Sequence, residues 1–340
     1  MRLDGALSMK VEEAGQEASD FESLGFDGAW SFEANHDPFI PLTLASQRTE
    51  RIELGTAIAV AFARPPMTMA VTAWDLQRLS GGRFILGLGT QIKPHITKRY
   101  DMPWSKPAAR MKEYIEALHA IWHSWDTGDR LDFRGEFYSN TLMPAFFNPG
   151  PNRNADGETL PRPKVYVAGY GPLMVGAIGQ VADGFFVHPF HSPEFLAAET
   201  LPALAAGAAA ADRPVADIEV ACLNIVAMGS TDAALAKARR KAKEQVAFYG
   251  STPAYAGVLD HHGYEGLQAE LNTMSKQGQW QEMANRIDDD LFDLIVISGT
   301  PAEVGGRVAA RNGFADRTSL MFYGPTPTRE ELVEMVSASN

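Results

Sequence analysis

The sequence predicts an α/β protein, a (β/α)8 barrel (TIM barrel) with insertions at the C-terminal face of its strands. Eight short apolar runs alternate with segments that have the apolar spacing of amphipathic helices. The chain has 340 residues, which is enough for a barrel of about 250 residues with insertions. A two-domain doubly wound arrangement would need a linker, and the composition shows none. We therefore expect a single domain over residues 1–340, with insertions near 133–164 and 252–290.

The strands are predicted from apolar runs, because a strand covered on both faces is apolar at consecutive positions. They are, in chain order, Arg2–Leu7, Gly28–Glu33, Ile52–Val60, Arg83–Thr90, Lys164–Tyr170, Gly184–Phe190, Ile218–Met228 and Arg317–Tyr323. The helices are predicted where apolar residues recur at helical spacing. The clearest are Val11–Leu24, Pro41–Thr49, Pro66–Leu79 and Pro107–Ser124, with a short helix from Pro172.

The most informative segment is Leu76–Thr90, which joins the end of a helix to the fourth predicted strand. Gly81 and Gly82 accept the left-handed backbone that ends a helix. The apolar run that follows has the composition of a buried strand, and Thr90 stands at its exit. Ligands of α/β folds bind at the C-terminal ends of strands, so Thr90 is a candidate site residue.

Composition and charge exclude several classes of function. The net charge of −12 argues against a nucleic-acid partner, which would require a basic face. The first residues lack the apolar run of a signal peptide, and no stretch has the roughly 18 apolar residues of a membrane helix. The single cysteine, Cys222, lies in an apolar run and is interpreted as a buried structural thiol. We expect a cytoplasmic protein with a small-molecule substrate and neither a nucleic-acid nor a membrane partner.

A phosphate site is predicted at the exit of the fifth strand, where the sequence is Gly169-Tyr170-Gly171-Pro172. Glycines let the backbone approach an anion, and Pro172 suits the first turn of a helix. The free N–H groups of that turn attract phosphate, with Thr90 as a hydroxyl donor nearby. A tight turn between strand and helix would require the same glycines, so the residues alone leave both interpretations open.

Histidines raise the question of a metal site. His119 and His123 are four residues apart on a predicted outer helix, but no carboxylate-rich strand ends accompany them, so no metal is predicted. His36 and His188 both follow strands and are better placed for chemistry, although each also fits a role in fixing a loop. The dinucleotide fingerprint, the phosphate-binding loop and the nucleophile elbow are absent from the sequence.

The chain resembles the luciferase-like monooxygenase superfamily, in particular the branch that uses the deazaflavin coenzyme F420. The resemblance rests on Leu24–Trp30, Thr49–Ala57, Leu76–Thr90, Val165–Pro172 and Ala182–Phe185, in the order that the family shows them. A weaker match over Gly299–Val304 extends it toward the C-terminus.

The resemblance implies a flavin or deazaflavin bound at the C-terminal ends of the strands. In F420-dependent members a non-proline cis peptide bond at the end of strand three lies against the back of the ring, and the matching pair here is Ala57–Ile58. The cofactor-binding residues that it implies are Ala57, Ile58, Thr90, Gln91, Ala168, Gly169, Tyr170 and Gly171. The phosphate end of this set agrees with the interpretation reached from the residues.

Two departures from the family pattern bear on the reaction. Several F420-dependent members carry an Asp-His pair after strand two, in which the histidine transfers a proton; here Glu33 matches the acid and Ala34 replaces the histidine. The candidate catalytic residues are therefore Glu33 itself and His36, two residues beyond Ala34. Sugar-phosphate dehydrogenases of the family use lysines after strand six, where this chain has Pro189-Phe190-His191, so a phosphorylated sugar is not expected.

The function expected from the resemblance is an F420-dependent oxidoreductase. It would transfer hydride between C5 of the deazaflavin and a non-phosphorylated organic substrate, in a protein expected to be a homodimer. The alternative within the family is an FMN-dependent monooxygenase. An alternative of another class is a non-catalytic barrel that binds the cofactor.

Overall fold

A computed structural model describes residues 1–339 and has the predicted (β/α)8 barrel. In these residues the strands are β1 Arg2–Ala6, β2 Gly28–Ser31, β3 Glu53–Thr56, β4 Ala59–Val60, β5 Phe84–Gly89, β6 Phe133–Arg134, β7 Ser139–Asn140, β8 Lys164–Ala168, β9 Gly184–Val187, β10 Glu219–Met228, β11 Val296–Gly299 and β12 Arg317–Phe322. The barrel strands are hydrogen-bonded in the order β10-β12-β1-β2-β3-β5-β8-β9, and β9 pairs in turn with β10. This closed parallel order confirms the predicted fold class.

Helices follow the strands along the chain. They are α1 Ala14–Leu24, α2 Phe39–Ser46, α3 Pro66–Leu79, α4 Lys93–Lys98, α5 Pro107–Thr127, α6 Pro172–Val181, α7 Pro193–Phe195, α8 Leu201–Ala210, α9 Asp232–Gly250, α10 Ala256–His261, α11 Leu267–Lys276, α12 Trp280–Met283, α13 Asp289–Ile295, α14 Pro301–Arg311 and α15 Arg329–Ser339. Within residues 1–339, no helix is both long and apolar enough to cross a membrane.

Two details of the predicted strands are wrong. The third strand does not run unbroken over Ile52–Val60, because β3 ends at Thr56 and pairing resumes only at β4. The short strand β11 was not expected; it pairs in parallel with the C-terminal half of β10, where Ile225 lies opposite Val296. The other barrel strands agree with the prediction apart from their ends.

The chain forms two compact units. The larger unit contains Gly5–Phe186 and Ala203–Glu219. Its core includes three buried tryptophans: the ring of Trp74 stacks on Trp122 at 6.3 Å and meets Trp125 edge-on at 5.6 Å. The predicted insertion near 133–164 contributes the β6–β7 hairpin to this unit.

The smaller unit contains Met1–Asp4, Val187–Pro202 and the chain from Val220 onward. Its core holds an ion pair without solvent exposure, in which Arg317 Nη2 lies 2.8 Å from Asp4 Oδ1. The predicted insertion near 252–290 forms α10, α11 and α12 in this unit. The expectation that residues 1–340 form a single domain stays a prediction.

Candidate active site

A bulge interrupts the third barrel strand in the larger unit. β3 pairs with β5 up to Gly55, which lies opposite Ile85. Pairing resumes in β4 with Ala59, which lies opposite Leu88. Between these two pairs the third strand uses one more residue than β5, which is the definition of a β-bulge. The extra length lifts the chain at residues 56–58 out of the regular ladder.

The bulge contains a cis peptide bond between Ala57 and Ile58. Neither residue is proline, and the bond lies at the pair that the resemblance implies, so this prediction is confirmed. The exit of β2 holds the bulge from one side: the N–H of Ala57 donates to the carbonyl of Ser31 at 2.7 Å, and the N–H of Glu33 donates to the carbonyl of Ile58 at 3.1 Å. Ala57 and Ile58 are half-buried, so part of the bulge faces solvent.

Strand β5, on the other side of the bulge from β2, has glycines at the positions that the bulge approaches. A Cβ at Gly87 would lie 1.7 Å from the carbonyl oxygen of Thr56, and a Cβ at Gly89 would lie 2.7 Å from Cδ1 of Ile58. The Thr56 hydroxyl donates to the carbonyl of Gly87 at 2.6 Å and accepts from its N–H at 2.9 Å. The glycines of β5 are therefore required by close approach of the bulge.

Glu33 lies at the exit of β2, and its carboxylate is enclosed by donors. One oxygen, Oε2, accepts from the N–H of Val60 at 2.8 Å and from Arg64 Nη1 at 2.7 Å. The other, Oε1, accepts from the hydroxyl of Tyr100 at 2.8 Å. The side chain is 6% exposed. Together with its backbone bond to the carbonyl of Ile58, Glu33 holds the chain at two points just after the cis bond.

Arg64 extends this network to the start of α2. Its Nη2 lies 3.0 Å from Oδ2 of Asp37, whose other oxygen accepts from the N–H of Phe39 at 2.9 Å. Burial lowers the pKa of Arg64, but the carboxylates of Glu33 and Asp37 outweigh burial and leave the pKa above its ordinary value. Burial and the hydrogen bond to Glu33 raise the pKa of Tyr100, so its hydroxyl remains a donor.

His36 lies beside this network and presents a nitrogen without a partner. Its Nδ1 lies 3.0 Å from the carbonyl oxygen of Asp37. A carbonyl can only accept, so Nδ1 carries the proton and Nε2 of the neutral ring has a lone pair. Among residues 1–339, this buried Nε2 has no hydrogen-bond partner. His36 therefore has one nitrogen oriented by the backbone and the other enclosed without a partner, so it can take a proton only from a group that reaches this enclosed position.

The turn after β8 has the backbone that its glycines predict. Gly171 has φ of +80° and precedes the first turn of α6, and a Cβ there would have no atom within 4 Å. At Gly169 a Cβ would lie 2.5 Å from Cγ of Met174, so glycine brings this turn against α6. Burial raises the pKa of Tyr170 to about 12, which keeps its hydroxyl neutral.

Thr90 and Gln91 form the exit of β5. Gln91 has a left-handed backbone with φ of 58°, and its carbonyl accepts from the Thr90 hydroxyl at 3.0 Å. The Thr90 hydroxyl would have to turn from this carbonyl to donate to a phosphate. Both side chains are half-buried.

Strand register brings the sequence-predicted cofactor residues together. Val60 lies opposite Gly89, and Leu88 lies opposite Val167. The bulge, the Thr90–Gln91 exit and the turn over 168–171 therefore follow the C-terminal ends of neighbouring strands in one unit. Of the residues around this edge, sequence reasoning missed Arg64 and Tyr100 as partners of Glu33.

The remaining histidines of the larger unit do not build a metal site. Burial lowers the pKa of His119 to about 4, so this half-buried histidine is neutral. His123 is exposed and lies 3.2 Å from Asp129. Residues 1–339 contain no group of three or more His, Cys, Asp or Glu side chains arranged to hold a metal ion.

The fold and the site together define a class: parallel barrels with a cis-peptide bulge at the exit of the third strand. The family model described as luciferase-like monooxygenase matches residues 2–317. The chain belongs to this family.

Relatives and solved structures extend this assignment. An uncharacterised Mycobacterium tuberculosis protein is 45% identical over 95% of this chain and 93% of its own length. A 5,10-methylenetetrahydromethanopterin reductase of Archaeoglobus fulgidus is 27% identical over 84% of this chain and 82% of its own. The structure of a coenzyme F420-dependent tetrahydromethanopterin reductase from Methanopyrus kandleri superposes with a TM-score of 0.78 at 21% identity, covering 98% and 96% of the two chains. An FMN complex of a Baeyer–Villiger monooxygenase from Pseudomonas putida gives 0.66 at 14%, covering 96% and 91%. At these identities the two structures show a shared fold.

Proposed function

We propose that this protein is a coenzyme F420-dependent oxidoreductase that transfers hydride between C5 of the deazaflavin and a non-phosphorylated organic substrate. The observation that carries the proposal is the placement of the half-exposed bulge and the turn over 168–171 at the C-terminal ends of neighbouring strands, where F420-dependent members hold the ring and the phosphate. The names of relatives in the family, among them an F420-dependent reductase, support an oxidoreductase.

The residues present fit this cofactor. The bulge is half-exposed, so a flat ring has a surface to lie on. Gly171 leaves open space where any other residue would place a Cβ, beside the first turn of α6. The N–H groups of such a turn are directed at anions. The Tyr170 hydroxyl adds a neutral donor.

Each group of residues then has a proposed role. When bound, F420 supplies the hydride acceptor or donor. Ala57 and Ile58 support the back of the ring. Thr90, Gln91 and the backbone of Ala168–Gly171 hold the phosphate end.

We assign the proton transfer to His36 and the support of the bulge to Glu33. Both Glu33 oxygens already accept hydrogen bonds from Arg64, Val60 and Tyr100, so a proton on Glu33 would displace a donor. The Nε2 of His36 has no such competitor among the described residues. In alcohol oxidation it would take the hydroxyl proton as the hydride leaves, and in the reverse direction it would return that proton.

The test is a titration of purified apoprotein with oxidised F420 and, separately, with FMN, followed by cofactor fluorescence. We expect saturable F420 binding and little binding of FMN. Preference for FMN together with oxygen uptake during turnover would instead support the monooxygenase. Binding of F420 without turnover of alcohols, ketones or enones would support the non-catalytic barrel.

Two glycine variants test whether F420 affinity depends on the shape of the bulge. In Gly89→Ala the new Cβ would lie 2.7 Å from Ile58, which must shift, so F420 binding should weaken at least tenfold. In Gly306→Ala, on α14, the new Cβ meets no atom within 4 Å, so binding should be unchanged. Equal affinities for the two variants would contradict the placement of the ring against Ile58.

A further inference from the structure

The smaller unit contains a cavity beside α9 to which the proposed reaction assigns no role. Its volume is about 350 Å³, which lies within the range of small-molecule sites. The charged side chains that line it are Arg239, Arg240 and Lys243 on α9 and Asp289 at the start of α13. Lys243 follows the two arginines by four and three positions, so the three cations share one face of the helix.

Two of these cations are held in place by buried residues. Arg239 Nη1 donates to the hydroxyl of Ser298 at 2.8 Å, and the guanidinium lies 4.2 Å from the centre of the Phe292 ring. Nζ of Lys243 lies 5.7 Å from the centre of the same ring. Ser298 and Phe292 are both buried. The cationic groups at the cavity therefore have restricted positions, as a binding site requires.

Asp289 shows where an anionic oxygen sits in this cavity. Its Oδ1 accepts from Arg239 Nη2 at 3.2 Å and from Lys243 Nζ at 2.9 Å, so the two cations converge on one oxygen. The hydrogen bond from Lys243 lowers the pKa of Asp289, so this carboxyl group is ionised near pH 7. The Asp289 side chain is 75% exposed, and exposed ion pairs contribute little to stability. A ligand with a larger negative charge can therefore displace it.

Arg240 adds a third cation that has no close carboxylate. Its Nε lies 3.8 Å from Oε1 of Glu244, which is beyond hydrogen-bond distance, and Glu244 already accepts from Lys241 at 2.7 Å. Asp293 lies 3.7 Å from Arg239, which is also too far for a hydrogen bond. Among residues 1–339, the three cations of the cavity therefore have one hydrogen-bonded carboxylate between them.

Three cations around one displaceable carboxylate fit a phosphate monoester. Its three terminal oxygens can accept from all three cationic groups, and its charge of about −1.5 to −2 at pH 7 exceeds that of a carboxylate. Arginine binds such oxygens through two parallel N–H donors. Gln281 and Asn285 also line the cavity, and their amide groups match hydroxyl groups on the organic part of the ligand.

We propose that the cavity beside α9 binds a small, hydroxylated phosphate monoester through Arg239, Arg240 and Lys243. The phosphate displaces the Asp289 carboxylate and accepts the hydrogen bonds that Asp289 otherwise receives. The site is assigned from the smaller unit alone and does not depend on F420.

The probe is glycerol 3-phosphate, compared with glycerate, a small hydroxylated carboxylate. Binding to the purified full-length protein is measured by ligand-observed NMR in a buffer without phosphate or F420. Wild-type protein should bind glycerol 3-phosphate saturably and about tenfold more tightly than glycerate. Lys243→Gln should weaken this binding about tenfold, because it removes a charge-assisted hydrogen bond. The matched control Lys237→Gln removes the same charge from the same helix outside the cavity lining, and should bind within about twofold of the wild type.

Asp289→Asn tests whether this carboxylate competes with the ligand. The change should tighten glycerol 3-phosphate binding about threefold, since both cations lose a competing anion. The proposal is overturned by no saturable binding of glycerol 3-phosphate, by equal affinity for glycerate, or by weaker binding in Asp289→Asn. It is also overturned if Lys243→Gln and Lys237→Gln have equal affinities. Arg240→Gln changes an exposed side chain and should also weaken binding, so it replaces Lys243→Gln if that variant does not fold.

Discussion

Replacing Glu33 with alanine tests whether this carboxylate supports the bulge. The change removes the acceptor of the Val60 N–H and one of the two carboxylates that face Arg64. A buried N–H without an acceptor costs about 1–3 kcal/mol, and the partly exposed Arg64 retains Asp37. We therefore expect Glu33→Ala to lower the free energy of unfolding by about 3 kcal/mol. Glu33→Gln keeps an oxygen for Val60 and should lose about half as much.

Glu33→Ala should also weaken F420 binding at least tenfold, since Val60, two residues beyond Ile58, would lose the carboxylate that holds it, while the backbone bond to Ile58 remains. Unfolding in urea gives the stability, and fluorescence titration gives the affinity. Glu22 is the matched control, because its carboxylate accepts from the N–H groups of residues 50–52 just before β3. Glu22→Ala should lose less stability, because most of these N–H groups are exposed to water, and should keep its F420 affinity. If Glu33→Ala binds F420 as the wild type does, or if Glu22→Ala weakens binding equally, the reasoning is refuted.

Three further expectations follow from the site and its surroundings. His36→Gln should lower kcat about 100-fold or more while F420 affinity is unchanged, as measured by F420 absorbance; an unchanged kcat would remove His36 from the mechanism. Tyr170→Phe should weaken F420 binding about fivefold through loss of a neutral donor, and unchanged binding would place Tyr170 away from the phosphate. Burial lowers the pKa of His191 to about 3, against about 6.5 in the unfolded chain, so its contribution is complete above pH 6.5 and is lost as the pH falls toward 3. Urea unfolding should therefore show a loss of at least about 2 kcal/mol between pH 7 and 5, because His119 contributes in the same direction, and a flat profile would contradict neutral histidines in the folded protein.

The sequence predicts most of the fold because a barrel strand is a contiguous apolar run. The predictions from sequence are wrong where the local pattern of apolar and turn residues does not determine where an element begins. β11 is short and follows α13 directly, so no turn residues mark its start. α2 begins at Phe39 rather than Pro41, because the Asp37 carboxylate accepts the N–H of Phe39.

The sequence predicted which residues of the candidate site lie at the strand exits. It did not predict which residues they contact. The cis bond at Ala57–Ile58 came from resemblance, since no local rule places a cis bond between two residues that are not proline. Glu33 was recognised as an acid at a strand exit, but its partners lie 31 and 67 residues further along the chain. Arg64 lies beyond β4 and Tyr100 beyond α4, so the tertiary fold, and not the local sequence, brings them to Glu33. The expected homodimer, the cytoplasmic location and the roles of the site residues stay predictions.

Where β3 stops pairing with β5, the Thr56 hydroxyl makes the hydrogen bonds to β5 that a backbone peptide group would otherwise make. Because it both donates to and accepts from Gly87, the amide proton of Gly87 is protected by a side chain rather than by a neighbouring strand. Exchange of that single proton with solvent therefore records how often the bulge opens under native conditions. The exchange rate of the Gly87 amide proton therefore measures the local opening of this strand exit, and no ligand is needed for the measurement.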